Sequence, residues 1–415
     1  MMKLKTIYTN YLMDKDNNQM ANKKFVLLFS ALLILFSSCQ DTSKKQTIAQ
    51  DLTKEFTANP VKIEKQEVVT LAIGADAPDF NLPNLKGEFM SLKNFEQAEI
   101  LVMIFTCNHC PTSQAYENRI IEFTKEYKDK GVAVVAVNSA SPLGLMYPES
   151  SWSDVDDSYE DMKIRARDRG FNFPYLYDGD LQEASLSYGA MATPHIFILD
   201  KERKLRYQGR IDADQKQGVG KSEDLIQAVE ELLAGKEVSN PVTKSIGCST
   251  KWSWKADNAK ALDERWAKRE VALNEIDNEG VKELLANNTE KLQLINVWAS
   301  WCAPCVVEFP DLVKLQRMYG KKDFQFISLS VDKMEIKDKV LKFLKEEQAA
   351  VENYIYSQGD LYELIELVDP DWSGALPYTL LVEPGGKKVY TYQGAVELLE
   401  LRKAIVDHEL IGRYR

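Results

Sequence analysis

Apolar and polar positions alternate along this chain in two successive blocks that follow the same order. In the first, the continuous apolar run Ile100 to Phe105 has the length of a buried strand. A mixed stretch over about Ser113 to Asp129 reads as a helix, broken by Gly131, and Val132 to Val137 reads as a second buried strand. A helix over Asp161 to Arg169 follows, then strands over His195 to Leu199 and Leu205 to Gly209. A last helix runs to Leu233, with Ser222 as its expected N-cap. The second block repeats the scheme. Leu292 to Val297 is a strand, Val306 to Tyr319 a helix, Phe324 to Val331 a strand and Lys337 to Glu347 a helix. Tyr378 to Val382 and Val389 to Gln393 form a terminal hairpin around Pro384-Gly385-Gly386, and Leu398 to Ile411 closes the block. Strands alternating with helices predict an α/β class, each block a mixed central sheet flanked by helices.

The boundaries follow from composition. Residues 1–39 read as an export signal: Lys23 and Lys24 precede the 12-residue apolar run Phe25 to Phe36, which is too short to span a bilayer, and Ser37-Ser38-Cys39 follow it. Met20 is a more natural start for such a signal than Met1. Residues 40–68 are polar and lysine-rich and read as a flexible tether. The first domain is expected over 69–236, a linker over 237–262 and the second domain over 263–415. The run Leu35 to Cys39 resembles a bacterial lipobox. That resemblance implies lipid attachment at Cys39 and a place in the bacterial cell envelope, on a periplasmic or other extracytoplasmic face.

Charge narrows the partners. The 415 residues carry a net charge of −11 with no basic tract, which argues against nucleic acid. Three histidines exclude a His-rich metal centre, and six cysteines are too few for a disulfide scaffold of this length.

The chemistry lies at the two strand-to-helix junctions, Cys107-Asn108-His109-Cys110 and Cys302-Ala303-Pro304-Cys305. A cysteine at a helix start meets free N–H groups and the positive end of the helix dipole, which stabilise a thiolate. The second cysteine, one turn on, is close enough to close a short disulfide. A joint zinc site is disfavoured, because the pairs lie in separate blocks about 190 residues apart. Thr193-Pro194 and Leu376-Pro377 each open a strand, and an X-Pro bond there is a candidate for cis geometry with exposed backbone beside it for a substrate strand.

The second block resembles the TlpA/ResA-like branch of the thioredoxin superfamily, through Asn296 to Cys305 with Glu308 and Pro310. The resemblance implies that Cys302 attacks, Cys305 resolves and Pro377 is the cis-proline. Asn296 stands where thioredoxin has a buried acidic residue, which leaves Glu308 to exchange protons with Cys305. The opening Gly-x-x-Ala-Pro-x-Phe segment of that branch is missing here. The first block resembles redoxin and peroxiredoxin-like members of the superfamily, through Gly74 to Leu82, Phe105 to Pro111, Ala190 to Pro194 and Gly247-Cys248-Ser249. By resemblance Cys107 attacks and Cys110 resolves. The Pro-x-x-x-Thr-x-x-Cys pattern of a peroxidase fits neither cysteine, so peroxidase activity is disfavoured. A cationic His109 is expected to favour the Cys107 thiolate and make this block the stronger oxidant.

Cys248 is an extra thiol: an electron relay between blocks, a resolver of a mixed disulfide with Cys107, or a buried free cysteine. His195, after Pro194, is expected beside the first dithiol, where two thiolates and an imidazole would suit Cu(I). The acidic insertion Tyr147 to Asp157 either borders the active site or is a solvated loop. Together these features predict an anchored thiol–disulfide oxidoreductase acting on exported protein thiols and disulfides, fed by a membrane or envelope thiol donor, with no cofactor or resident metal. A copper-binding protein or a non-catalytic thioredoxin-like adaptor is the alternative. Two dithiols in tandem suggest either relay between them or two substrates.

Overall fold

The apolar runs become two separate sheets. The computed structural model describes residues 56–216 and 218–412, so the export signal, Met20, Cys39 and the start of the tether lie outside the described residues. Among the described residues, no helix is long and apolar enough to cross a membrane.

The first domain begins with a short hairpin, β1 (Leu82–Pro83) and β2 (Phe89–Met90). Its main elements are β3 (Ile100–Thr106), α1 (Pro111–Tyr127), β4 (Val132–Asn138), α2 (Tyr159–Arg169), β5 (Tyr175–Tyr177) and α3 (Glu183–Tyr188). They continue with β6 (Ala192–Thr193), β7 (His195–Leu199), β8 (Leu205–Gly209) and α4 (Glu223–Leu233). The sheet order is β5-β4-β3-β7-β8. β3 is central, parallel to β4 and antiparallel to β7. It is buried on both faces, which explains why its sequence is apolar throughout rather than alternating. A separate two-residue strand, β9 (Cys248–Ser249), pairs with β6.

The second domain follows helix α5 (Ala256–Ala267). It comprises β10 (Asn274–Ile276), α6 (Asn278–Ala286), β11 (Leu292–Trp298), α7 (Ala303–Tyr319), β12 (Phe324–Ser330) and α8 (Lys337–Glu346). β13 (Glu352–Tyr356), α9 (Leu361–Val368), β14 (Tyr378–Val382), β15 (Lys388–Gln393) and α10 (Leu398–Asp407) complete it. The sheet order is β10-β13-β12-β11-β14-β15, with β14 and β15 antiparallel. Each sheet is covered on both faces by its own apolar clusters.

Several expectations change. Ser222 makes no side-chain cap; its φ is 62°, and its amide donates to Asp212 Oδ2 at 2.9 Å instead. The segment expected to be a flexible tether is, from residue 56, laid along the first domain. There the Val61 amide donates to the Asp180 carbonyl at 3.0 Å and Phe56 packs edge-on against Tyr159. The expected linker holds β9, stacks Trp252 on Trp254 against the first domain, and contains the start of α5. In the second domain the missing opening segment is replaced by β10, an edge strand parallel to β13.

The domains meet through the acidic insertion. Tyr319 Oη donates to the Ser153 carbonyl at 2.9 Å, and Arg402 pairs with Asp156 at 3.2 Å. Lys322 lies over the Trp152 ring and Arg317 over that of Tyr147.

Candidate active sites

In both domains a buried central strand ends where a helix begins, and each CxxC occupies that turn. In the second domain Cys302 is the N-cap of α7, and its sulfur accepts from the Cys305 amide at 3.3 Å. Pro304 within the first turn suits a position whose amide would have no helical partner. Cys302 and Cys305 are joined in a disulfide. Cys302 is 7% exposed, but Trp301 before it is 67% exposed and Val307 beyond it 78%, so an apolar surface flanks the dithiol. The Leu376–Pro377 bond is cis.

Glu308, one helical turn after Cys305, is buried. Its Oε1 accepts from Asn296 Nδ2 at 3.0 Å and its Oε2 from the Val396 amide at 2.9 Å. Burial raises its carboxyl above the ordinary value, although both hydrogen bonds oppose the shift. Asn296 also donates to Thr379 Oγ1 at 3.0 Å, so it orients Glu308 rather than standing in for an acid.

The first site is built differently. Cys107 is 2% exposed and Cys110 is fully buried. The insertion closes over the dipeptide between them. Asp157 Oδ1 accepts from the Asn108 amide at 2.6 Å, the Asp156 carbonyl accepts from Asn108 Nδ2 at 2.8 Å, and Tyr175 Oη donates to Asn108 Oδ1 at 3.0 Å. Asp157 Oδ2 pairs with His109 Nδ1, and the other ring nitrogen, Nε2, lies 3.9 Å from Cys107 Sγ. Burial opposes charge on His109, but the Asp157 carboxylate outweighs it and holds the imidazole above its ordinary value.

The Thr193–Pro194 bond is cis, and the Cys110 thiol donates to the Thr193 carbonyl at 3.1 Å. Cys107 donates to Thr193 Oγ1 at 3.1 Å. Thr193 was expected to present backbone to a substrate strand, yet that edge is already paired with Cys248 of β9.

The two thiols titrate as a pair. Burial disfavours the charge on both. For Cys110, hydrogen bonds from the Cys107 and Cys248 thiols, the charge of His109 and the Ser113 amide overcome burial and draw it well below the ordinary thiol value. For Cys107, burial is reinforced by the hydrogen bond to Cys110 and the charge of Asp157, and it is held well above. At Cys107, burial, the bond to Cys110 and the charge of Asp157 together oppose the thiolate that a cationic His109 by itself would favour.

The expected Cu(I) set does not assemble around His195. Its Nε2 contacts Gln208 Oε1 at 3.1 Å, its ring packs on Phe197, and burial lowers it to about 4. The side chains that gather at the dithiol are Cys107, His109 and Asp157, whose ligand atoms lie within 4.8 Å of one another. His109 Nδ1 is already committed to Asp157. Sequence reasoning missed Asp157, although it ends the acidic insertion that was singled out. Cys248 packs against Cys107, Cys110 and Ala140.

The two dithiols belong to separate buried clusters. Cys302 starts α7, whereas Tyr319, at its other end, touches the first domain. A 17-residue helix is about 25 Å long, so Cys302 lies roughly that far from the Tyr319 contact with the first domain.

A mixed sheet with a dithiol at a helix start and a cis-proline opening a later strand defines the thioredoxin-like class, and the chain contains that combination twice. Residues 73–208 match the AhpC/TSA family and residues 258–397 the Redoxin family; the chain carries two thioredoxin-like domains of these families in tandem. Among characterised proteins it is similar to the thiol-disulfide oxidoreductase ResA of Oceanobacillus iheyensis, 25% identical over 36% of this chain and 67% of that protein. ResA of Bacillus thuringiensis strain Al Hakam is 27% identical over 44% of this chain and 87% of that protein. Among solved structures, a hypothetical protein of Sinorhizobium meliloti 1021 is 34% identical over 44% of this chain and 96% of its own, with a TM-score of 0.40.

Proposed function

We propose that this protein is a membrane-anchored thiol–disulfide oxidoreductase that exchanges disulfides with exported proteins through two CxxC dithiols. The enzyme class rests on the thioredoxin-like tandem and its similarity to proteins named thiol-disulfide oxidoreductase. The observation that carries the reading is the Cys302–Cys305 disulfide at the start of α7, flanked by exposed Trp301 and Val307. In the reducing direction the Cys302 thiolate attacks a substrate disulfide. A mixed disulfide forms and one substrate sulfur leaves as a thiolate. Cys305 then attacks Cys302, closing the internal disulfide and releasing the second substrate thiol. Glu308 takes the Cys305 proton as that thiol becomes the nucleophile. A thiol donor in the envelope restores the pair. Thr193, which bonds both thiols of the first pair, is assigned with Pro194, Leu376 and Pro377 to substrate binding in this reading, and the exposed Trp301 and Val307 give the second site its face for a protein substrate.

The test is reduction of insulin by the full chain with dithiothreitol as donor, read as turbidity. Loss of activity in Cys302→Ser, with partial retention in Cys107→Ser, is expected. Wild-type activity no greater than dithiothreitol alone refutes the reading. The anchor is tested by metabolic labelling with palmitate, which Cys39→Ala should abolish.

A further inference from the structure

The first dithiol is buried and roofed by the insertion, yet a third cysteine reaches it from the side. Gly247, Cys248 and Ser249 cross the residue before the cis-proline, with Cys248 in register with Thr193 and Ser249 with Ala192. The Cys248 amide donates to Cys110 Sγ at 3.4 Å, and its side chain packs on the Cys107–Cys110 cluster. This approach needs Gly247. Its φ is +151°, and a Cβ there would lie 1.9 Å from the Thr193 carbonyl oxygen. Of the three thiols, Cys248 alone is half-buried rather than buried.

We infer that Cys248 is a third redox-active thiol that exchanges with Cys110 and carries electrons between the buried pair and thiols in solution. The inference rests on Cys107 and Cys110 being redox-active, as proposed above. With Cys107 and Cys110 joined, the Cys248 thiolate attacks Cys110 Sγ. The Cys110–Cys248 bond forms as the Cys107–Cys110 bond breaks, and Cys107 leaves as a thiolate that takes up the proton Cys248 released. No net oxidation occurs. An external thiol then attacks Cys248, forming a mixed disulfide and releasing Cys110 as a thiolate. A second external thiol frees Cys248 and leaves as half of an external disulfide. Two external thiols are thereby oxidised to one disulfide, and one protein disulfide is reduced to two thiols.

The experiment uses the full chain equilibrated with reduced and oxidised glutathione, acid-quenched, alkylated and mapped by mass spectrometry without reduction. In Cys107→Ser, the peptides carrying Cys110 and Cys248 should be linked to each other. Separate glutathione adducts on the two cysteines, with a normal Cys107–Cys110 disulfide in wild type, overturn the inference but leave the proposed function standing. Absence of any Cys107–Cys110 disulfide in wild type overturns both for this domain. As a second measurement, Cys248→Ala should slow reduction of the Cys107–Cys110 disulfide by glutathione about tenfold, since direct attack on the buried sulfurs is hindered. The Cys302–Cys305 pair in the same chain should keep its rate. An unchanged rate at Cys107–Cys110 also overturns the inference.

Discussion

Arg402 of the second domain pairs with Asp156 at 3.2 Å, and the next residue, Asp157, holds His109 beside the first dithiol. Two adjacent carboxylates thus face opposite ways, one toward the neighbouring domain and one toward the chemistry. The insertion Tyr147 to Asp157 is the shared part. It is pinned by Tyr319 and Arg402 on one side and closes over Asn108 on the other.

Arg402→Ala should therefore act at a distance. It removes a buried guanidinium from a partly exposed Asp156, a loss of about 1–2 kcal/mol once solvent screening is allowed for. With the loop less firmly held, Cys107 and Cys110 should be alkylated faster in the reduced full chain. The alkylation rate of Cys302 should not change, because it lies at the far end of α7. Equal rates for all of these cysteines in mutant and wild type would show that the loop is held without the second domain.

The His109–Asp157 pair predicts a pH dependence. The folded imidazole binds its proton more tightly than an unfolded histidine, whose ordinary value is about 6.5. The resulting stabilisation is fully present below about pH 6.5 and is lost as pH rises through the higher folded value. Denaturant titration of wild type and Asp157→Asn should show their largest gap between about pH 5 and 6.5, narrowing above that. Some gap should remain, because Asp157 also accepts from the Asn108 amide. A gap that widens with pH would show that the imidazole is not the group concerned.

Glu308→Gln should leave the fold in place and slow the second dithiol. Its carboxylate accepts from both Asn296 and the Val396 amide, and a carboxamide can accept from both only by crowding its own NH₂ against one donor. If Glu308 takes the Cys305 proton, insulin reduction should fall on the order of a hundredfold. The rise in rate with pH that follows the raised carboxyl should disappear as well. A lower rate with the wild-type pH profile would assign Glu308 a packing role only.

Gly247→Ala should uncover the first site. The added methyl meets the Thr193 carbonyl oxygen, so β9 must lift from β6 or the backbone must strain, at a cost of at least about 1 kcal/mol. Cys107 and Cys110, both buried in the native chain, should then react readily with a bulky maleimide. Continued protection would mean that the insertion alone covers them.

Local pattern was enough to place the strand-to-helix turns that carry Cys107, Cys110, Cys302 and Cys305, because an apolar strand, a CxxC and a helix signal are contiguous in the chain. The order of strands and helices was readable for the same reason, since buried strands such as β3 and β11 announce themselves by continuous apolar runs. Short or polar edge strands escaped: β10 reads Asn-Glu-Ile and β9 only Cys-Ser, and neither has a periodicity to detect. Ser222 had the residue type of a cap but not the backbone, which Asp212 holds in a left-handed turn.

The sequence by itself determined which atoms can exchange electrons, since thiol chemistry belongs to cysteine and its spacing sets which pairs can close. Only the tertiary structure decided what surrounds each pair. Asp157 lies 48 residues from His109 and Cys248 lies 138 from Cys110, and no local rule connects them. Burial and charge act through space rather than along the chain. For that reason two similar motifs become one dithiol beside an open apolar face and another enclosed with a third thiol at its edge.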